Sequence, residues 1–130
     1  MLQVGQVSVE GYAACRHVVA SRHGRFSGAA DDALDALGLQ RTVPLVVPTY
    51  PEAMRVVRSS DLIAFVPRSC LGNAFIADHA AILGLEAFEP RLRLPEFNIS
   101  AIWHPRLHAD PAHRWLRAAV RSVCRAAYPP

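Results

Sequence analysis

Lysine is missing from this sequence, and all fourteen basic residues are arginines. They are spread from Arg16 to Arg125 with acids between them. A phosphate-binding face needs its positive charges clustered with little acid among them. A net charge of +3 therefore does not imply that these residues bind nucleic acid directly. Long apolar runs are lacking too, and none approaches the roughly 20 residues that a membrane helix needs. Met1-Leu2-Gln3-Val4-Gly5 carries no basic stretch leading into an apolar core. No secretory signal is expected there, and the cytoplasm is the default compartment. Cysteine is scarce: Cys15, Cys70 and Cys124 are far apart, odd in number and free of any CxxC pair. Neither a disulfide framework nor a zinc ribbon is implied, and all three are expected as small buried hydrophobes. No GxSxG elbow surrounds Ser21, Ser27 or Ser60, and no GxGxxG follows a strand. No carboxylate pair stands out for acid–base work. Catalysis is not expected, and no cofactor is implied.

What is present is a chain of 130 residues, 52% hydrophobic and 19% charged, sufficient for one folded domain of modest size. Apolar runs of strand length alternate with helix signals. Arg16–Ser21 is a β-rich run closed at His23-Gly24. Ser27 is placed to cap a helix through Asp31–Leu37 that stops at Gly38, with its acids near the positive end of the dipole. Thr42–Val47 follows as a strand whose near-continuous apolar character predicts burial on both faces. Thr49-Tyr50-Pro51-Glu52 has capping-box spacing and opens a helix striped by Ala53, Val56 and Val57. Asp61–Val66 reads as a third buried strand ended by Pro67, and a helix is expected from about Ser69 to Leu83, stopped at Gly84. Leu85–Phe88 and Phe97–Trp103 read as two more strands. Asp110 caps a last helix with Pro111 just inside it. The order predicts an α/β fold with a mostly parallel sheet flanked by helices.

The last helix carries Trp115, Leu116, Ala119, Val120, Val123, Cys124 and Ala127 on one face and four arginines on the other. Such a stripe must bury against something. His104, His108, Asp110 and His113 fall within ten residues, a donor set zinc accepts in principle. His104 and His108, however, straddle a proline turn and a helix start, so no metal site is expected.

Four motifs, in order, give the chain a family resemblance. Arg16-His17-Val18-Val19-Ala20-Ser21 is the first, and Asp31-Asp32-Ala33-Leu34-Asp35-Ala36-Leu37-Gly38 the second. The third is Ser60-Asp61-Leu62-Ile63-Ala64 with Val66-Pro67. The fourth joins Trp103-His104-Pro105-Arg106 to Asp110-Pro111-Ala112-His113-Arg114-Trp115-Leu116-Arg117. Together they resemble the effector-binding domain of LysR-type transcriptional regulators over residues 10–125, nearest the branch responding to nodulation signals, salicylate and nitroaromatics. The resemblance implies one lobe of a type II periplasmic-binding-protein-like domain over residues 1–97. Residues 98–130 would then be the strand and helix returning to the other lobe. It further implies a small aromatic or acidic effector bound between lobes, DNA contacted only through a winged helix-turn-helix outside this chain, no membrane partner, and a homo-oligomer.

In open α/β sheets ligands sit beyond the carboxyl ends of strands, against helix N-termini. Thr49, Tyr50 and Pro51 lie at such a junction, and Ser21 ends the first strand. Thr49 equally serves as an ordinary helix cap. The resemblance adds His17, at the position of a pocket histidine, and Ile102, on the first-lobe side. Trp115, Leu116 and Val120 are the expected oligomer contacts. A stand-alone, non-catalytic α/β small-molecule-binding or dimerisation module is the alternative.

Overall fold

In the computed structural model, which describes residues 7–129, the Arg16–Ala20 run becomes the central strand β1. The reading of Met1–Gly5 lies outside the described residues. Ahead of β1 stands α1 (Val9–Ala14), whose first turn is capped by the Ser8 hydroxyl accepting from the Gly11 N–H at 3.0 Å. β2 (Thr42–Val47) and β3 (Ile63–Ala64) flank β1 in parallel, giving the sheet order β2–β1–β3. Parallel neighbours require crossovers, supplied by α2 (Ala29–Asp35) and α3 (Tyr50–Arg58). The α/β, mostly parallel architecture is thus the expected one.

Alternation along β1 sorts the core onto two faces. His17 pairs with Ile63, and Val18 with Ala64. Ile63 packs with Val7, Tyr12, Ala13 and Leu34 on the α1–α2 face. Val18 packs with Ala53 and Leu62 under α3 on the other. Full burial of an apolar side chain of this size contributes about 1.5–3 kcal/mol. Val18 and Leu34, each 1% exposed or less, therefore anchor the sheet between its helices.

β2 departs from its expected burial on both faces: Leu45 is 38% exposed. Its position explains this: among the described residues β2 has β1 as its one neighbour and lies at the sheet edge. Pro44 fits an edge. The register slips there from Arg16↔Thr42 to Val18↔Leu45, an extra residue at the point where a missing N–H removes a ladder bond.

Other boundaries moved. Gly28, not Ser27, is the N-cap of α2, and its N–H donates to Asp31 Oδ2 at 2.7 Å. The helix expected over Ser69–Leu83 is a 3-10 turn (Arg68–Cys70), a loop, and the short α4 (His79–Ile82). Asn73 accounts for the interruption: its side-chain oxygen accepts the N–H groups of Phe75 and Ile76, drawing them away from helical partners. Gly84 ends this region at φ +69°, as its position predicted. Leu85–Phe88 and Phe97–Trp103 form no ladder among the described residues. Pro90 and Pro95 interrupt the chain between them, and a two-residue β3 offers little edge to pair with. A second 3-10 turn (Pro105–Leu107) leads into α5 (Pro111–Ala127), capped by Asp110 Oδ1, which accepts from the His113 N–H at 2.7 Å.

Candidate functional site

The carboxyl edge of the sheet is built by two adjacent strand ends. The Ser21 N–H donates to the Val47 carbonyl at 2.8 Å, so Ser21 and the Pro48-Thr49 step emerge side by side. The Ser21 hydroxyl accepts the Arg25 N–H at 3.1 Å, folding the turn that contains Gly24 (φ +65°) back over this edge. Thr49 heads α3 through a complete capping box. Its N–H donates to Glu52 Oε2 at 3.2 Å, and its Oγ1 donates to the same oxygen at 3.1 Å. Pro51 carries no N–H, and the Glu52 N–H points back to Thr49 Oγ1. Among the described residues this leaves the Tyr50 N–H as the donor still available in the first turn. Tyr50 itself is 37% exposed. The edge therefore offers one amide, a hydroxyl and an aromatic ring. The Glu52 carboxylate held in the box opposes a second negative charge at this spot.

His17 lies near the other end of β1, four residues before Ser21, and is fully buried (0% exposed). Its Nε2 is 2.9 Å from the Tyr12 carbonyl, which assigns the ring proton to Nε2, and its Nδ1 lies 3.5 Å from the Arg41 guanidinium. The Tyr12 ring meets the imidazole edge-on at 4.7 Å. Arg41 also grips Asp31 through two hydrogen bonds of 2.9 and 2.7 Å, and this pair is largely buried. Burial lowers the His17 pKa, and the neighbouring Arg41 charge adds to that effect. The Arg41 hydrogen bonds hold the Asp31 carboxyl below its usual range, while burial raises the Tyr12 phenol. No local motif could have announced this cluster. Its members come from α1, β1, α2 and the approach to β2, and only the fold unites them.

The remaining candidates stand apart. Ile102 is 93% exposed in the irregular stretch before the second 3-10 turn. Trp115 (73%), Leu116 (49%) and Val120 (46%) lie exposed on α5. Cys15, Cys70 and Cys124 are free thiols, but none is buried, and Cys124 is exposed because its helix face is uncovered. The expectation of three buried cysteines is corrected accordingly. Two of the terminal histidines have protein neighbours: Trp103 stacks on His108, and Arg117 sits 4.5 Å above Trp103. Arg117 Nη1 lies 2.6 Å from His113 Nδ1. Among the described residues no three His, Cys, Asp or Glu side chains converge as metal ligands, and no helix is long and apolar enough to cross a membrane.

Comparison with known proteins places this geometry. Residues 2–125 match the family described as the LysR substrate binding domain. The chain is 36% identical over 121 residues to the HTH-type transcriptional regulator SyrM of Rhizobium meliloti (strain 1021), covering 92% of this chain and 36% of that protein. It is 29% identical over 114 residues to the HTH-type transcriptional activator NahR of Pseudomonas putida, covering 85% and 35%. The regulatory domain of MexT, a transcriptional activator in Pseudomonas aeruginosa, has a TM-score of 0.59 and 30% identity, over 90% of this chain and 56% of that one. The chain spans about a third of the length of the curated relatives it matches. These relatives are transcriptional regulators rather than enzymes, in line with the missing catalytic motifs. The four sequence motifs, the parallel sheet and the match over residues 2–125 lead to one assignment: the chain belongs to the LysR substrate-binding domain family.

Proposed function

We propose that this chain is the effector-sensing part of a DNA-binding transcriptional regulator acting in the cytoplasm. DNA would be contacted through a winged helix-turn-helix outside residues 1–130, in a homo-oligomer, while residues 1–130 by themselves would associate through Trp115, Leu116 and Val120, the face that otherwise meets the other lobe. The family match over residues 2–125 carries the reading. On this proposal residues 1–97 form one lobe, and residues 98–130 return to the other. The effector is a small aromatic compound bound at the carboxyl edge, against the Ser21 hydroxyl and the Thr49-Tyr50-Pro51 turn. Ile102 covers it from the other lobe. His17 acts from below, holding the strand that delivers Ser21. A ligand that bridges two lobes prefers their closed arrangement, and that difference in affinity is what an attached oligomer can transmit.

The test is a calorimetric titration with salicylate and with uncharged salicylamide. Saturable binding of at least one is expected, weakened about tenfold (~1.4 kcal/mol) by Tyr50→Ala. Because Glu52 disfavours an anion at this turn, salicylamide is expected to bind no more weakly than salicylate. Absence of saturable binding by both removes the aromatic effector, and full affinity in Tyr50→Ala removes the site.

A further inference from the structure

The two sides of α3 differ in kind. Ala53, Val56 and Val57 face the sheet. Pro51, Met54, Arg55 and Arg58, spaced i, i+3, i+4 and i+7, line a groove of about 480 Å³ between α3 and the Ser69–Leu83 stretch. That volume lies within the roughly 300–1,000 Å³ of small-molecule sites. The opposite wall is apolar at Ile76 and Leu83, with the Asn73 side chain and the His79 imidazole as polar points.

Two features make the groove more than a gap between elements. Its far wall is fixed by hydrogen bonds. Asn73 N–H donates to the Ile76 carbonyl at 2.7 Å, and the His79 and Ala80 N–H groups both donate to the Leu71 carbonyl. Gly72 is held so close that a Cβ would stand 2.5 Å from the Ala77 carbonyl oxygen, so this wall closes only on glycine. Second, its two arginines are paired with no acid among the described residues. No Asp or Glu lines the groove. Arg16, Arg41 and Arg68 each meet an acid, whereas among the described residues Arg55 and Arg58 meet none. Arg55 and Arg58, three residues apart on one side of α3, are close enough for one anion to meet both. Guanidinium groups are the side chains best shaped to hold a carboxylate.

We propose that this groove is a second ligand site, for an amphipathic monoanion: a carboxylate or sulfonate on an apolar body. Arg55 and Arg58 hold the charged group, and Met54, Ile76 and Leu83 receive the body. The site is separate from the carboxyl edge, where Glu52 stands against an anion, although both touch Pro51 and thereby the start of α3.

The probe is 4-phenylbutyrate, with 4-phenylbutanol as its uncharged counterpart, titrated into the 130-residue protein by calorimetry and by amide NMR. Saturable binding of the acid is expected, with the Gly72 and Ile76 amides shifting. Affinity should fall about tenfold in the exposed-residue double variant Arg55→Gln/Arg58→Gln and for the alcohol, and stay unchanged in Ser21→Ala and Tyr50→Ala. Circular dichroism establishes that each variant is folded. No saturable binding, equal binding of the alcohol, or indifference to the arginine substitutions overturns the proposal. So does loss of acid binding in Tyr50→Ala, which would move the anion to the carboxyl edge.

Discussion

His17 carries a consequence for stability that follows from its surroundings. Its imidazole donates through Nε2 to the Tyr12 carbonyl and turns Nδ1 toward Arg41, with Asp31 beyond the guanidinium and the Tyr12 phenol alongside. Burial lowers its pKa first, and the Arg41 charge adds to that, against the raising effects of the Tyr12 carbonyl and Asp31. In the unfolded chain the ring titrates near its ordinary value of about 6.5. Between that pH and the lower native pKa the unfolded state binds more protons than the native one. Stability is therefore whole above about pH 6.5 and falls as the pH drops through this window. Urea midpoints at pH 7.5 and pH 5 are expected to show the loss. His17→Gln, which keeps an N–H for the Tyr12 carbonyl but cannot titrate, is expected to lose part of that pH dependence. An identical decline in the variant would assign the sensitivity elsewhere. Asp31 follows the opposite pattern at lower pH. Its carboxyl is depressed chiefly by the Arg41 hydrogen bonds, so its contribution is present above the ordinary carboxylate range and is lost as the pH falls below it.

α3 shows what a short segment of sequence can determine unaided. Thr49-Tyr50-Pro51-Glu52 predicted a capped start, and both arms of the capping box are present. The box is a local device, its partners three residues apart. Thr49→Ala is expected to lower the unfolding free energy by about 1 kcal/mol in urea denaturation. A change within error would mean that packing of Ala53 and Met54, not the cap, fixes where the helix begins. The same locality explains why β1, β2, α5 and the Gly38 and Gly84 stops were legible. Two other expected strands were not, because a strand is completed by its neighbour: Asp61–Val66 shrank to Ile63–Ala64, and Phe97–Trp103 found no partner among the described residues. The Ser69–Leu83 helix failed for a different reason, the competition of one Asn73 side chain for two backbone donors. Of the candidate edge, the position of Ser21 and Thr49 at strand ends was legible, whereas their adjacency follows from the pairing of β1 with β2. The withdrawal of His17 beneath the strand depends on packing that no spacing rule contains.

α5 is held firmly but covered little. Arg117 ties its first half to the preceding turn, donating to the carbonyls of Leu107 at 3.2 Å and His108 at 2.9 Å while its guanidinium lies over Trp103. At the far end the Ala74 N–H donates to the Ala127 carbonyl at 2.8 Å, and Ala127 is the one buried residue of the helix. Between these points Leu116, Val120 and Val123 run i, i+4 and i+7 with Trp115 beside them, all at least 46% exposed. A rigid apolar stripe of this length is the surface that a second copy of the same helix satisfies by symmetry. Trp115 supplies its largest side chain, and aromatic anchors of this kind dominate interface energetics. The chain is expected to exceed its monomer mass of 14.2 kDa in light scattering at micromolar concentration. Trp115→Asp, which places a charge in the stripe at a position already exposed in the monomer, is expected to return it to that mass with its circular dichroism unchanged. A monomer at every concentration would mean that the stripe awaits a different partner. An oligomer that survives the substitution would place the contact on another face.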